Sequence, residues 1–349
     1  MILTVGLKLD ISDSGSLKPM MRRFNEACDW LSGIAFEEKL WHWHPLQKRA
    51  YYELRERFGF TSAQALVAIR KVAYCYRNKQ RRDKRAGFRP LGGIPLFKHV
   101  YYPDRTVRFY GLRMPYDCRP GTELPRQPKE GKLVCRDGEF FIQQSVEVEE
   151  PEEYEPSGWL GCDLGIVNIL TDGDGQRHSG AQVNGLRHRH ARLRGRLQAK
   201  ATKSAKRRLR CRSRKEAYFA RDVNHCIAKK TVAKAIRQRK GVALEDLKGI
   251  RARLRVRKAH RRQLHSWAFA QLQDFITYKA RLGGVPVALV DPRNTSRTCP
   301  KCGSVEKKNR KSQARFECVC CGFGGHADHI AAINIGRRAA GNQPHAAAA

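Results

Sequence analysis

WLGCDLGIVNILTDGDG, residues 159–175, is the stretch that sets the fold class. Its first twelve residues are nearly continuous in apolar and β-branched side chains, which suits a strand buried on both faces. Asp163 interrupts the run, and an unpaired carboxylate there is costly unless it finds a partner or a metal. A salt bridge to one of the chain's many arginines and a metal-binding role both answer that cost. The Asp-Gly-Asp-Gly at 172–175 then predicts a hairpin turn.

Two more strands are predicted downstream, GVALEDL at 241–247 and VPVALVDP at 285–292. A basic helical segment, 186–240, precedes the first, and a helix around 261–284 separates the two. The order is strand hairpin, helices, strand, helix, strand, cysteine module and last short helix, a mixed α/β layer with an insertion before its final helix. Glu245 ends its apolar strand as Asp163 interrupts its own. Asp328, in GFGGHADHIAAINIG (322–336), opens an Ala/Ile run, where an acid is most often a helix cap. Three acids on two strands and a helix start can also converge to hold two divalent ions roughly 4 Å apart, the clamp used for in-line attack of water on a phosphodiester. Magnesium or manganese suits such an all-oxygen site.

TCPKCGSVEKKNRKSQARFECVCCGF contains Cys299-x-x-Cys302 and, after fifteen intervening residues, Cys318-x-x-Cys321. Two such knuckles place four thiolates at the corners of a tetrahedron, the arrangement of a closed structural zinc site. With four protein ligands the predicted single zinc has no open position for catalysis. Gly303 and Gly322 follow the two knuckles and fit their tight turns. Cys320 reads as a bystander, and the seven isolated cysteines read as small apolar residues in a chain that keeps its thiols reduced.

A chain of 349 residues with 41% apolar content is long enough for two or three domains. Its formal charge of +36 points to a polyanionic partner. From Arg187 to Arg262 there are 29 Lys or Arg against four acids. Such a density repels itself unless a phosphate backbone supplies countercharge, which favours nucleic acid over a merely solvated face. No apolar run reaches the 18 residues of a spanning helix, and MILTVGLKLD meets Lys8 and Asp10 too early for a signal-peptide core, so a cytoplasmic protein with no membrane partner is expected. The N-terminal half alternates as a strand over 1–12, then shows amphipathic helices at 17–36, 45–58 and 61–80, then strands again from 94 to 150. This predicts a small β-barrel or sandwich with a helical insertion after its first strand. The acidic, proline-bearing PEEYEPSG reads as a linker near 149–158.

In order, GCDLGIVNILTDGDG, RDVNHCIAKKTV, LEDLKGI, HSWAFAQL with YKA, DPRNTSRTCPKCG and FECVCCGFGGHADHIAAINI resemble the C-terminal half of TnpB, the transposon-encoded RNA-guided DNA nuclease family ancestral to compact type V CRISPR effectors. The resemblance spans about 158–336. It implies a RuvC-like, RNase H-type α/β nuclease domain over 151–295, a zinc ribbon inserted at 296–325 and a final helix at 326–340; beyond it the composition of AGNQPHAAAA predicts a disordered tail at 341–349. It further implies that residues 1–12 and 86–150 form an oligonucleotide-binding, wedge-type β-barrel carrying a helical recognition insert at 13–85. Asp163, Glu245 and Asp328 take the catalytic, magnesium-binding places, and Cys299, Cys302, Cys318 and Cys321 the zinc places. The implied partners are a guide RNA from the transposon end and target double-stranded DNA in the nucleoid. Where the family usually reads Ala-Asp-x-Asn-Ala-Ala, this chain has Ala327-Asp328-His329-Ile330-Ala331-Ala332, with the acid retained. The competing readings are a nuclease-inactive RNA-guided repressor of the same fold and a zinc-ribbon DNA-binding regulator. The repressor is disfavoured by three intact acids, the regulator by acids at 163 and 245 that it does not need.

Overall fold

A computed structural model describes residues 1–10, 15–79, 82–118, 121–126, 128, 130–247 and 269–341. The front of the helix expected around 261–284, and all of the expected tail beyond Gly341, lie outside these residues. The chain divides into two compact units, Met1–Val148 and Glu149–Ala349.

The first unit opens with β1 (Ile2–Leu9), then α1 (Leu17–Glu37), α2 (Trp43–Phe58) and α3 (Ser62–Cys75). Six strands follow: β2 (Ile94–Leu96), β3 (Val100–Tyr101), β4 (Thr106–Phe109), β5 (Leu112–Asp117), β6 (Gly131–Arg136) and β7 (Glu139–Glu147). They join β1 in one antiparallel sheet of order β2-β6-β7-β1-β5-β4-β3, so the three helices are inserted after the sheet's first strand in sequence. The turn between β6 and β7 is Asp137-Gly138, both at positive φ (53° and 90°), as a two-residue hairpin of this hand requires. Thr61 and Gln64 form a reciprocal capping box that starts α3. That helix ends at Cys75, short of the expected 80. The predicted barrel appears here as an open ladder. Its end strands β2 and β3, only three and two residues long, do not pair with each other among the described residues.

In the second unit β8 (Trp159–Asp163), β9 (Asn168–Asp172) and β10 (Arg177–Ser179) form an antiparallel meander. Three basic helices follow, α4 (Ala181–Lys200), α5 (Lys203–Arg212) and α6 (Lys215–Arg237). The expected single segment 186–240 thus begins earlier and is broken at Ala201 and Arg214, both at positive φ. Next come β11 (Gly241–Glu245), α7 (Phe269–Leu282) and β12 (Val287–Val290). Beyond them lie the ribbon strands β13 (Arg315–Glu317) and β14 (Gly324–His326), and α8 (Ala327–Ala339). The sheet order is β10-β9-β8-β11-β12, with β8, β11 and β12 parallel. This mixed α/β layer agrees with an RNase H-type fold.

Side chains alternate across the sheet. Leu160, Cys162, Val242 and Leu244 pack with Ile227 and Val232 of α6 and with Leu272 and Ile276 of α7. The opposite face belongs to α8, where Ala243 meets Ile335. The stretch expected to be a linker lies along the second unit, with Tyr154 donating its hydroxyl to Lys240 O at 2.9 Å and its amide to Gly284 O at 3.1 Å. No helix among the described residues is long and apolar enough to cross a membrane.

Candidate active site and metal centre

The parallel pairing of β8 with β11 sets Leu244 opposite Cys162, so the next residues, Glu245 and Asp163, end both strands at one level. Alternation turns both toward the α8 face, in line with Gly161 and Ala243. Gly161 lets α8 come down onto the sheet. A Cβ there would lie 2.0 Å from Ala332 O and 2.4 Å from Gly336 N, and one on Gly336 would lie 2.9 Å from Trp159 O. Glycine at both positions gives room for this approach, which carries Asp328, in the first turn of α8, toward the strand ends.

Asp328 is not the helix cap. His326 occupies the cap position and makes no side-chain cap bond. The Asp328 carboxylate instead accepts Asn168 Nδ2 at 3.0 Å and faces the Arg310 guanidinium at 3.7 Å. Glu245 accepts the Thr295 hydroxyl at 2.6 Å. Asp163 has no such help, since no hydrogen bond or ion pair reaches its carboxylate among the described residues. The salt bridge that would explain Asp163 without a metal is therefore not formed. Burial, then the charges of Glu245 and Asp328, push its carboxyl up to about 8, while Arg310 pulls the other way. Burial also raises Glu245, against the Thr295 hydrogen bond and the charges of Arg338 and Arg310. Mutually repelling carboxylates with only oxygen donors fit magnesium or manganese, whose charge would relieve the repulsion.

The four ribbon cysteines gather their Sγ atoms within 4.8 Å of one another, with Cys299–Cys321 at 3.6 Å and Cys302–Cys318 at 3.5 Å. A tetrahedron with zinc–sulfur bonds of about 2.3 Å sets sulfurs about 3.8 Å apart, so the cluster could hold one zinc ion. Gly303 and Gly322 take positive φ (74° and 69°) and donate back to Cys299 O and Cys318 O, closing the two knuckles. The amide of Cys321, with that of Cys320 behind it, helps bring the Cys318 thiol down to about 6, toward the thiolate a metal needs. Cys320 is exposed and outside the cluster. The acids form no equally tight donor group among the described residues.

Sequence reasoning missed Asn168, Thr295 and Arg310, the three side chains that hold or neutralise the acids. Arg310 carried no distinguishing signal among 69 Lys and Arg. Gly161 did carry one, because a glycine inside a buried strand marks a close backbone approach. His329, unexplained by the sequence, donates from Nε2 to Gly173 O at 3.1 Å and ties α8 to the β9–β10 turn. Ile330, in the family's asparagine place, is buried with Cys299, Phe316 and Cys318 of the ribbon. Lys203, Lys206, Arg207, Arg208 and Arg210 of α5 are exposed, and none pairs with an acid among the described residues.

The family model for the Cas12f1-like TNB domain matches residues 269–335. A CRISPR-associated endodeoxyribonuclease Cas12f1 of Sulfoacidibacillus thermotolerans is 38% identical over 122 residues, 35% of this chain and 28% of that one. A TnpB-like protein of Methanocaldococcus jannaschii is 35% identical over 115 residues, 33% of this chain and 41% of its own. The match thus spans less than half the length of either relative. Among solved structures, a Cas12f1–sgRNA–target DNA complex overlaps 96% of this chain and 99% of its own, with a TM-score of 0.41 and 17% identity, a likeness too loose to carry an argument. The sequence matches make part of the second unit of this chain, residues 269–335 by the family model, similar to the Cas12f1-like TNB domain and to TnpB-like and Cas12f proteins.

Proposed function

We propose that this chain is an RNA-guided, divalent-metal-dependent DNA endonuclease of a transposon. The observation that carries the reading is the convergence of Asp163, Glu245 and the first turn of α8 on one sheet face, with no hydrogen bond or ion pair reaching the Asp163 carboxylate among the described residues. Two magnesium or manganese ions held by Asp163, Glu245 and Asp328 would activate water and stabilise the leaving 3′ oxygen of a phosphodiester. Asn168 and Thr295 each fix one oxygen of a carboxylate; the free oxygen of Glu245 would face the ions, and that of Asp328 would be shared between an ion and Arg310. Arg310 balances part of the acids' charge. The exposed cations of α5 suit the backbone of a guide RNA from the transposon end or of the target duplex. Guide pairing would supply sequence specificity, and the first unit, with its sheet and three helices, would read a short duplex motif beside the target. The relatives named as endodeoxyribonucleases support this reading.

The test is cleavage of a plasmid library by protein purified with its own flanking transcript, compared with Asp163→Ala. Magnesium-dependent cutting leaving 5′-phosphate ends, lost in the variant, is expected. Persistent cutting by the variant, or none by the parent, would sink the assignment. Binding without cutting by the parent would favour the repressor. Metal analysis should find about one zinc per chain, with Cys302→Ser unfolding the ribbon; a folded, zinc-free protein would refute the reading of the four cysteines.

A further inference from the structure

We propose that Thr295 is a positioning residue for Glu245, holding one oxygen of that carboxylate so that the other points to the metal. The inference rests on the nuclease reading above and goes beyond it by naming how one acid is oriented.

Thr295 lies between β12 and the first ribbon cysteine and is 3% exposed. Its Oγ1 stands 2.6 Å from Glu245 Oε1 and 3.1 Å from Pro292 O. A hydroxyl has one proton, and the carboxylate is both the nearer and the stronger acceptor. The threonine is itself pinned. Asn334, fully buried on α8, donates from Nδ2 to Thr295 O and to Thr298 O, each at 2.8 Å. The Thr298 hydroxyl closes the same loop onto Asn294 O at 2.9 Å. A glutamate has three side-chain torsions and loses freedom when fixed, so an ordered hydroxyl that removes one alternative favours the metal-ready rotamer. The arrangement also joins two acids mechanically, because α8 carries Asp328 in its first turn and fastens Thr295 through Asn334 less than two turns later. A packing role alone would need only a methyl group of the same shape, whereas positioning needs the hydroxyl.

The experiment is manganese titration of the full chain without nucleic acid, followed by electron paramagnetic resonance, in the parent, Thr295→Val and Thr295→Ser. Loss of a partner that orients a metal ligand typically weakens metal affinity by about 10- to 100-fold. Thr295→Val should therefore bind manganese about tenfold more weakly, with its zinc content and melting temperature close to the parent's. Thr295→Ser, which keeps the hydroxyl, should restore the affinity. If the valine variant melts early, Thr295→Ala removes the hydroxyl with less demand on shape and takes its place. Equal manganese affinity in the parent and the hydroxyl-free variant overturns the positioning role and leaves the nuclease reading standing, as does a serine variant as weak as valine. A parent that binds no manganese overturns both.

Discussion

Two groups of acids lie on opposite faces of the same strand pair and are treated in opposite ways. Asp163 stands across from Thr171 and faces α8, while Asp172 stands across from Cys162 and faces α6. On the α6 face both acids, Asp172 and Asp174, are answered. Lys234 Nζ reaches Asp172 Oδ2 at 2.5 Å and Asp174 Oδ2 at 2.9 Å, Lys240 lies 3.4 Å from Asp174, and Gln238 donates to Asp174 at 2.9 Å. The amides of Asp174 and Gln176 satisfy the other oxygen of Asp172. Burial works against the charge of Asp174, yet hydrogen bonds from Gln238 and Lys234 bring its carboxyl down to about 2. On the α8 face Asp163 goes the other way, up to about 8. A chain with 69 Lys and Arg has no shortage of cations to pair with Asp163, so the missing ion pair is what the proposed metal site requires.

If the α6 group is a structural clamp, breaking it should have the largest effect. Lys234→Met strands Asp172, which is 2% exposed. The expected loss is about 3 kcal/mol, the low end for removing one partner of a buried pair, because two amides still hold the carboxylate. In a unit of this size that lowers the melting temperature by roughly 6–12 °C. A change within about 2 °C would erase the distinction between the two groups. The next effect belongs to the α8 face. Gly161→Ala drives a methyl into Ala332 O and should cost about 2 kcal/mol as overpacking. Because α8 carries Asp328, cleavage should fall by about a hundredfold, more than the stability loss accounts for. Parent-like cleavage by a folded Gly161→Ala protein would show that the close approach of α8 does not set the acids' geometry.

The sequence made some of this legible and hid the rest for physical reasons. The apolar run of 159–170 and the CxxC spacing are local signals; the knuckles are present, but the run expected as one strand is two, Trp159–Asp163 and Asn168–Asp172, paired antiparallel across a turn at 164–167 that no Asp-Gly announces. Asp163 stood out by interrupting an apolar stretch, Glu245 by ending one and Asp328 by opening one. Asp172 and Asp174 read only as turn formers, since their salt bridges come from residues about sixty positions away on α6. Asn168, 160 residues from Asp328, was illegible for the same reason. The barrel expected of the first unit depended on closing edge strands, and two- and three-residue edges have too few backbone groups to announce a pairing.

The smallest effect is the most discriminating, because its sign changes with the metal. A carboxyl raised to about 8 when folded keeps a proton that the unfolded chain, with its carboxyl near 4, has already lost. Between about pH 4 and 8 the folded state therefore binds more protons than the unfolded one, and its stability falls as pH rises through that window. Asparagine keeps the shape of Asp163 and does not titrate. In magnesium-free buffer at pH 8, Asp163→Asn should be more stable than the parent by about 1 kcal/mol, a modest figure because water reaches the half-buried carboxyl and screens its neighbours. The gap should close toward pH 4. Adding magnesium should reverse the order, since an ion that binds only the folded parent stabilises it by mass action while the variant has lost a ligand. Melting curves across pH, with and without magnesium, decide the matter. A variant less stable than the parent in magnesium-free buffer would mean that Asp163 has a compensating partner after all, and the two faces would then differ only in degree.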